Sequence, residues 1–271
     1  MKLKLACTSL LLPCLAVAQL PSVASINLCT DQLVLSVAEP DQILSLSWLA
    51  ADPEESMLAA QARLFPRNYG SAEELMRIGA DVVIAGTETS PFTRQLLRRL
   101  GSTIIDVEPA TSLADVARNL RIVGDAIGRG AEAAGVIRSM QSRADALRAK
   151  RSEPAHSAIV VRPGGFTVGR NTLAHQLIEL AGLRNQIAEL DRWGSLSIET
   201  LVTSDPEFIV ITSYRDSEAS LANAIFSHPS LIALTGTQIR VEVPARFFAC
   251  GAPESLTAAE RLLEQMAAPR R

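Results

Sequence analysis

Two stretches decide the fold: Ser71-Ala-Glu73-Glu-Leu75, running on to Asp81-Val-Val-Ile-Ala85, and Ser197-Ile-Glu199-Thr-Leu201, running on to Glu207-Phe-Ile-Val-Ile211. In each, a serine stands where a helix N-cap is favoured and a glutamate follows in the first turn. A short apolar run then reads as a strand buried on both faces. Serine, glutamate and leucine recur at one constant offset, and the strand follows at that same offset. Capping preferences account for the serine and the glutamate. They do not account for a capped helix and its buried strand at equivalent places in two halves, which predicts two similar lobes with a cleft between them.

The surroundings of each stretch agree. In the first half, strands over 23–28, 43–46, 82–85 and 103–107 alternate with helices over 30–37, 71–78 and 91–100. In the second, strands over 158–162, 208–211 and 239–243 alternate with helices over 173–181, 197–203 and 254–266. Short links between alternating elements predict an α/β fold of two Rossmann-like lobes with parallel strands. Between them lies a long helical region. Ser112 can cap it, and Leu113, Val116, Leu120, Val123 and Ile127 keep helical spacing up to Gly128 and Gly130. A second run, from Ala131 to about Arg151, carries Val136, Ile137, Met140, Ala144 and Leu147 on one stripe. At 1.5 Å per residue it is roughly 30 Å long, enough to bridge two lobes. The expected division is a leader over 1–18, a first lobe over 19–127, a connecting helix over 128–153 and a second lobe over 154–271.

The leader reading rests on Lys2 and Lys4, the apolar stretch Leu5 to Val17, and Ala16-Val17-Ala18 as a cleavage site. It implies export to the periplasm. The apolar stretch is too short to span a bilayer, which needs about 20 apolar residues, and Pro13 makes Cys14 a poor lipidation site. Cleavage would remove Lys2 and Lys4, taking the formal net charge from −3 to −5. Nothing in that balance marks a nucleic-acid binder. Of the four cysteines, Cys29 and Cys250 would remain. Both should lie near strand ends facing the cleft, where an oxidising compartment favours a bond; two free thiols near the ligand are the alternative. Hydrophobic residues at 48% and charged residues at 20% fit a folded chain rather than a disordered one.

Catalytic signatures are scarce. Gly164-Gly165-Phe-Thr-Val-Gly169 lacks the spacing of a P-loop or a dinucleotide fingerprint. His156, His175 and His228 are not spaced as metal ligands, and no nucleophile elbow or metalloprotease helix is present. In open α/β lobes, ligands sit beyond the carboxyl ends of strands. Those ends deliver Asn27 to Asp31, Ser47-Trp48, Gly86 to Thr89, Pro163 to Arg170, Tyr214-Arg215 and Arg246-Phe247-Phe248, and Trp193 stands in a loop among polar and small residues. Large flat side chains suit a bulky, partly apolar ligand. Arg94, Arg162, Arg170, Arg215 and Arg246 are candidates to neutralise an anionic one, and Arg170 and Arg246 are the two preferred as ligand contacts.

With these residues in view, the chain resembles the helical-backbone class of periplasmic binding proteins, which serve ABC importers of ferric siderophores, haem and vitamin B12. The resemblance covers essentially all of the chain beyond the leader. It is carried by Val23 to Gln32, Ser71 to Ala85, Arg98-Arg-Leu-Gly101, the long helix, Phe166-Thr-Val-Gly169-Arg, Ser197 to Ile211 and Phe247-Phe-Ala-Cys-Gly-Ala-Pro253. It implies two lobes on one rigid helix, slight closure on binding, and one glutamate per lobe docking on arginines of the permease. Glu73 and Glu199 match those glutamates, and Trp48, Phe166, Trp193 and Phe247 match the cleft aromatics of the vitamin B12-binding member. Gly86 stands where that member has a tryptophan, and the two cysteines do not match its bridge; the first departure weighs against vitamin B12. The reading is therefore a monomeric, non-catalytic receptor without cofactor, with a metal chelate as ligand and a permease dimer and its ATPase as partners. A cofactor-dependent oxidoreductase of similar architecture and a receptor for a bare metal ion are the alternatives. The first needs a dinucleotide fingerprint or a cluster-binding cysteine set, the second clustered histidines and carboxylates.

Overall fold

The structure, a computed structural model, describes residues 19–151, 155–212, 221–235 and 238–267; the leader and Tyr214-Arg215 lie outside them. The first lobe is a parallel sheet of β1 (Val23–Ser25), β2 (Ile43–Ser47), β3 (Arg67–Asn68), β4 (Val82–Gly86) and β5 (Thr103–Val107), in the order β3-β2-β1-β4-β5. The second contains β6 (His156–Val161), β7 (Phe166–Val168), β8 (Leu183–Asn185), β9 (Trp193–Ser195), β10 (Phe208–Ile211) and β11 (Ile239–Glu242). Its parallel sheet runs β11-β10-β6-β8, while β7 and β9 form a separate antiparallel ribbon. β4 and β10 are buried along their whole length, as continuous apolar runs flanked by strands on both sides should be.

The repeated unit is built the same way twice. Ser71 accepts a hydrogen bond from the Glu74 N–H and caps the helix Ala72–Ile78; Ser197 accepts one from the Thr200 N–H and caps the helix Ile198–Ser204. Leu75 and Leu201 bury against the outer faces of their sheets, in separate small cores. Each helix ends on a left-handed residue, Gly79 and Asp205 respectively. A serine then fastens β1 to β4 in the first lobe and β6 to β10 in the second. The Ser22 N–H donates to the Asp81 carboxylate at 2.8 Å and the Asp81 N–H to the Ser22 hydroxyl at 3.0 Å. The Ser157 N–H donates to the Glu207 carboxylate at 2.8 Å and the Glu207 N–H to the Ser157 hydroxyl at 3.0 Å.

The helix Gly130–Ala149 joins the lobes. Ala133, Ile137, Met140, Ala144 and Leu147 form its buried stripe; Val136, expected there, is only partly buried. It packs on Leu28–Val37 and Leu113–Ala126 of the first lobe and on Leu173–Leu180 and Leu256–Ala267 of the second. One hydrophobic core therefore runs through both lobes. Polar contacts pin the helix at two heights: Arg129 pairs with Glu39 at 2.8 Å at its start, and Arg143 pairs with Glu260 at 2.9 Å further along. Gly124 allows the preceding helix to cross closely, since a Cβ there would stand 2.6 Å from that of Ala133.

Some features differ from the expectation. The strand expected over 23–28 stops at Ser25, because the Asn27 side chain accepts from the Cys29 N–H and starts a helix at Leu28. The ribbon β7–β9 and the short helix Arg246–Ala249 are too short for periodicity to show.

Candidate functional site

Two cavities lie at the carboxyl ends of the strands. One, about 90 Å³, lies between the lobes: Asn27, Gly86, Thr87 and Glu88 face Ala249 and Gly251. The other, about 480 Å³, is lined by Arg162, Pro163, Phe166, Trp193, Ala245, Phe248 and Ala249. Only the second has the size and the aromatic walls of a small-molecule site.

That wall is shaped by glycines with definite tasks. Gly164 and Gly165 both have φ of +75°, a conformation that favours glycine, and turn the chain between Arg162 and Phe166. The Arg162 N–H donates to the Phe166 carbonyl at 2.8 Å, and the Leu196 N–H to the Gly165 carbonyl at 2.7 Å. At Gly169 a Cβ would stand 1.9 Å from the Leu190 carbonyl oxygen, so only glycine lets the loop before β9 cross here. The sequence Phe166-Thr-Val-Gly169 is thus a backbone device that positions β9 and Trp193. Phe166 and Trp193 are 51% and 46% exposed, large for aromatic side chains. The Arg162 guanidinium lies over the Trp193 ring, 4.4 Å from its centroid. Burial draws the Arg162 pKa below the ordinary arginine range.

The other expected contacts are placed differently. Phe247 is 7% exposed and belongs to the shared core, with Arg246 at 5.1 Å and Arg261 at 4.8 Å over its ring. Phe248, 6% exposed and in the same core, is the one of the two that reaches the cavity wall. The cause is helical phase: on the helix Arg246–Ala249 neighbouring residues point about 100° apart. Arg246 accordingly faces Phe247, and Arg170 is exposed beside Asp191 without lining either cavity. Trp48 is 46% exposed at the end of β2 and also lines neither. Its turn is held by Asp31, a fully buried carboxylate that accepts from the Ser47 N–H at 3.1 Å and from the Ser47 hydroxyl. Burial pushes the Asp31 pKa up to about 6 against the opposing pull of these bonds. Arg162 and Phe248 were legible in part: each stands at a strand end, but nothing local distinguished Arg162 from four other arginines, or Phe248 from Phe247.

Cys29 and Cys250 are joined, with Cα atoms 5.0 Å apart. Cys29 sits in the first turn of a helix rather than in a loop. The bond ties the lobes beside Ala249, the residue common to both cavities. At Gly86 a Cβ would meet the Asn27 side chain at 3.0 Å, so a bulky residue there would displace the cap of the helix Leu28–Val37. Glu73 and Glu199 are exposed, each second in its helix. Hydrogen bonds from its own N–H and the Ser197 hydroxyl hold the Glu199 carboxyl below the usual range.

Among the described residues no group of three histidine, cysteine or carboxylate side chains could hold a metal ion. Each histidine has a local partner: His156 lies 3.2 Å from Glu207, His175 3.3 Å from Asn185, and His228 3.2 Å from the Ser230 N–H. No described helix is long and apolar enough to cross a membrane.

Comparisons with known proteins place this geometry. A family model described as periplasmic binding protein matches residues 23–235. The ABC transporter substrate-binding lipoprotein YvrC of Bacillus subtilis, itself uncharacterised, is 21% identical over 192 residues, 62% of this chain and 61% of its own length. The periplasmic heme-binding protein HutB of Vibrio cholerae superposes with a TM-score of 0.77 at 17% identity, covering 92% of this chain and 99% of its own. The apo periplasmic heme-binding protein RhuT of Roseiflexus gives a TM-score of 0.75 at 16% identity, covering 90% and 98%. At these identities the structural likenesses establish the fold.

Proposed function

We propose, from the premise that this chain belongs to the periplasmic binding protein family, that it is the solute-capture component of an ABC importer for a chelated metal. A ferric siderophore or haem fits best, with cobalamin next. One observation carries the reading: an aromatic cavity of about 480 Å³ at the strand ends of a two-lobed molecule held by one long helix. Its walls are Arg162, proline, alanine and aromatic rings, which offer no imidazole, thiolate or carboxylate to a bare ion. A metal bound there would arrive inside an organic chelate whose flat or apolar faces meet Phe166, Trp193 and Phe248. Nor do these walls present a nucleophile or a general base, which supports capture and release rather than catalysis. The packing of Gly86 against Asn27 speaks against the vitamin B12 geometry of the resembling member.

The protein works outside the cytoplasmic membrane as a monomer. Glu73 and Glu199, one per lobe at equivalent places, meet cations on the two halves of a permease dimer, which an ATPase drives. Arg170, Arg246 and Trp48 serve at most the rim of the cleft.

Tryptophan quenching tests the ligand class. Haem or a ferric siderophore is expected to quench at micromolar concentration or below, and Zn²⁺ or Mn²⁺ alone is not; saturable binding of a bare ion with no response to any chelate would overturn the reading. Glu73→Ala with Glu199→Ala should leave that affinity unchanged and abolish uptake into cells. Normal uptake by the double variant would remove the docking role.

A further inference from the structure

We infer that the ligand carries an oxyanion, a carboxylate or a catecholate-type oxygen pair, and that Arg162, stacked on Trp193, is the side chain that receives it. This rests on the reading of the cavity as a chelate-binding cleft, and it narrows that reading to anionic chelates.

Arg162 is the first residue past β6, and its backbone is fixed on both sides: its N–H donates to the Phe166 carbonyl at 2.8 Å, and its carbonyl accepts from the Gly165 N–H at 3.1 Å. The side chain is therefore launched from a rigid turn into the cavity, where its neighbours are Pro163, Phe166, Trp193, Ala245 and Phe248. All of these are apolar apart from the indole N–H, itself a donor. Among the described residues no carboxylate pairs with this guanidinium, and no acceptor takes its side-chain N–H groups.

Three other half-buried arginines of the chain are treated differently, and a fourth, Arg246, lies over the Phe247 ring and lines neither cavity. Arg94 has Asp106 at 2.9 Å, Arg129 has Glu39 at 2.8 Å, and Arg143 has Glu260 at 2.9 Å. Burying a cation without a counter-ion is unfavourable, and a tryptophan face offsets only part of the loss. The remaining electrostatic demand faces the cavity, where a planar fork of N–H donors matches a two-oxygen anion. The aromatic rings then meet the apolar body of the same ligand. A chelate without an anionic group would leave the guanidinium desolvated and unpaired, and the site would discriminate against it.

Matched probes test this by tryptophan quenching on the unaltered protein: haemin against haemin dimethyl ester, and an anionic ferric tricatecholate against an uncharged ferric trihydroxamate. At least one anionic probe should bind ~30-fold or more tightly than its uncharged counterpart. Arg162→Gln should abolish that preference by weakening the anionic probe alone, and Arg162→Lys should restore part of it. Equal binding of charged and uncharged probes, or an undiminished preference in a folded Arg162→Gln, would overturn the inference while leaving a chelate receptor. Failure of every chelate to bind would overturn the reading on which it rests, and this inference with it. The acid–ester comparison needs no variant, so it decides the matter even if Arg162→Gln does not fold.

Discussion

The two lobes share their scaffold and differ where a ligand would lie. Both use a serine-capped helix, a buried inner strand and a serine–acid fastening at the start of the sheet. In both, that strand is flanked by parallel neighbours, β1 and β5 around β4, and β6 and β11 around β10. At the other end of the sheets the resemblance stops. The first lobe presents Asn27, Gly86, Thr87 and Glu88. The second adds the ribbon β7–β9 and the short helix Arg246–Ala249, and with them Arg162, Phe166, Trp193 and Phe248. Positions bound by strand pairing and capping have few acceptable residues, whereas loop ends beyond the strands are free to specialise. The larger, aromatic cavity therefore lies on the second lobe, and the first contributes to a smaller one.

The largest test of this comparison is the bond between the lobes. Unreduced protein in denaturant should show no free thiol at Cys29 or Cys250. Replacing both by serine should lower stability by up to about 5 kcal/mol, the chain-entropy value for a loop of this length. Because one core runs through both lobes, the doubly substituted protein should still unfold in a single transition. Two separated transitions by denaturant would show that the lobes are independent bodies and that the shared core does not couple them.

A smaller effect concerns an asymmetry. Asp31, in the first lobe, is the one fully buried carboxylate among the described residues. Its pKa near 6 exceeds the ordinary aspartate value of 3.8, so its folded form favours the proton. The stability this confers is complete below pH 3.8 and is lost as pH rises through 6, by an amount on the order of 3 kcal/mol. Asp31→Asn keeps partners for the Ser47 N–H and hydroxyl and cannot ionise. The difference in urea stability between variant and parent should grow in the variant's favour from pH 4 to pH 7. A constant difference across that range would show that Asp31 is ionised at no penalty.

The smallest expected effect compares the ends of the two repeated helices. Gly79 has φ of +68°, and a Cβ there would touch nothing within 4 Å. Gly79→Ala should therefore cost only the backbone strain of the left-handed region, about 1–2 kcal/mol. Asp205 already bears that strain at φ of 43°, partly offset by a hydrogen bond from the Gln238 amide at 2.7 Å. Asp205→Gly should leave stability unchanged or raise it by less than about 1 kcal/mol. Thermal unfolding of both variants checks the contrast, and two losses of equal size would show that the helix ends are not equivalent.

Much of this molecule was legible before its structure. Ser71, Ser112 and Ser197 cap the helices they were expected to cap, and Val82–Gly86 and Phe208–Ile211 are the buried strands expected after two of them. The long helix, Gly130–Ala149, falls inside the span 128–153 expected for it and ends four residues sooner. The site was less legible. Phe247 and Phe248 are adjacent, chemically identical and both buried in the shared core, and only the phase of a four-residue helix lets Phe248 reach the cavity wall. Asp31 lies in the first turn of its helix, where an acid is ordinarily a surface residue, yet it is buried beneath the turn that carries Trp48.

What the sequence determined by itself was the doubled architecture, because caps, apolar periodicity and strand composition act over a few residues and leave their mark within those residues. What only the tertiary structure decided was which arginine lies over a cavity tryptophan, which phenylalanine reaches the cavity wall, and that one core and one disulfide hold both lobes. Those outcomes depend on partners far apart in the chain: Arg162 with Trp193, Gly169 with Leu190, Cys29 with Cys250. A side chain's charge or shape is readable where it stands, but whether it is paired, buried or presented to a ligand depends on what the fold brings against it.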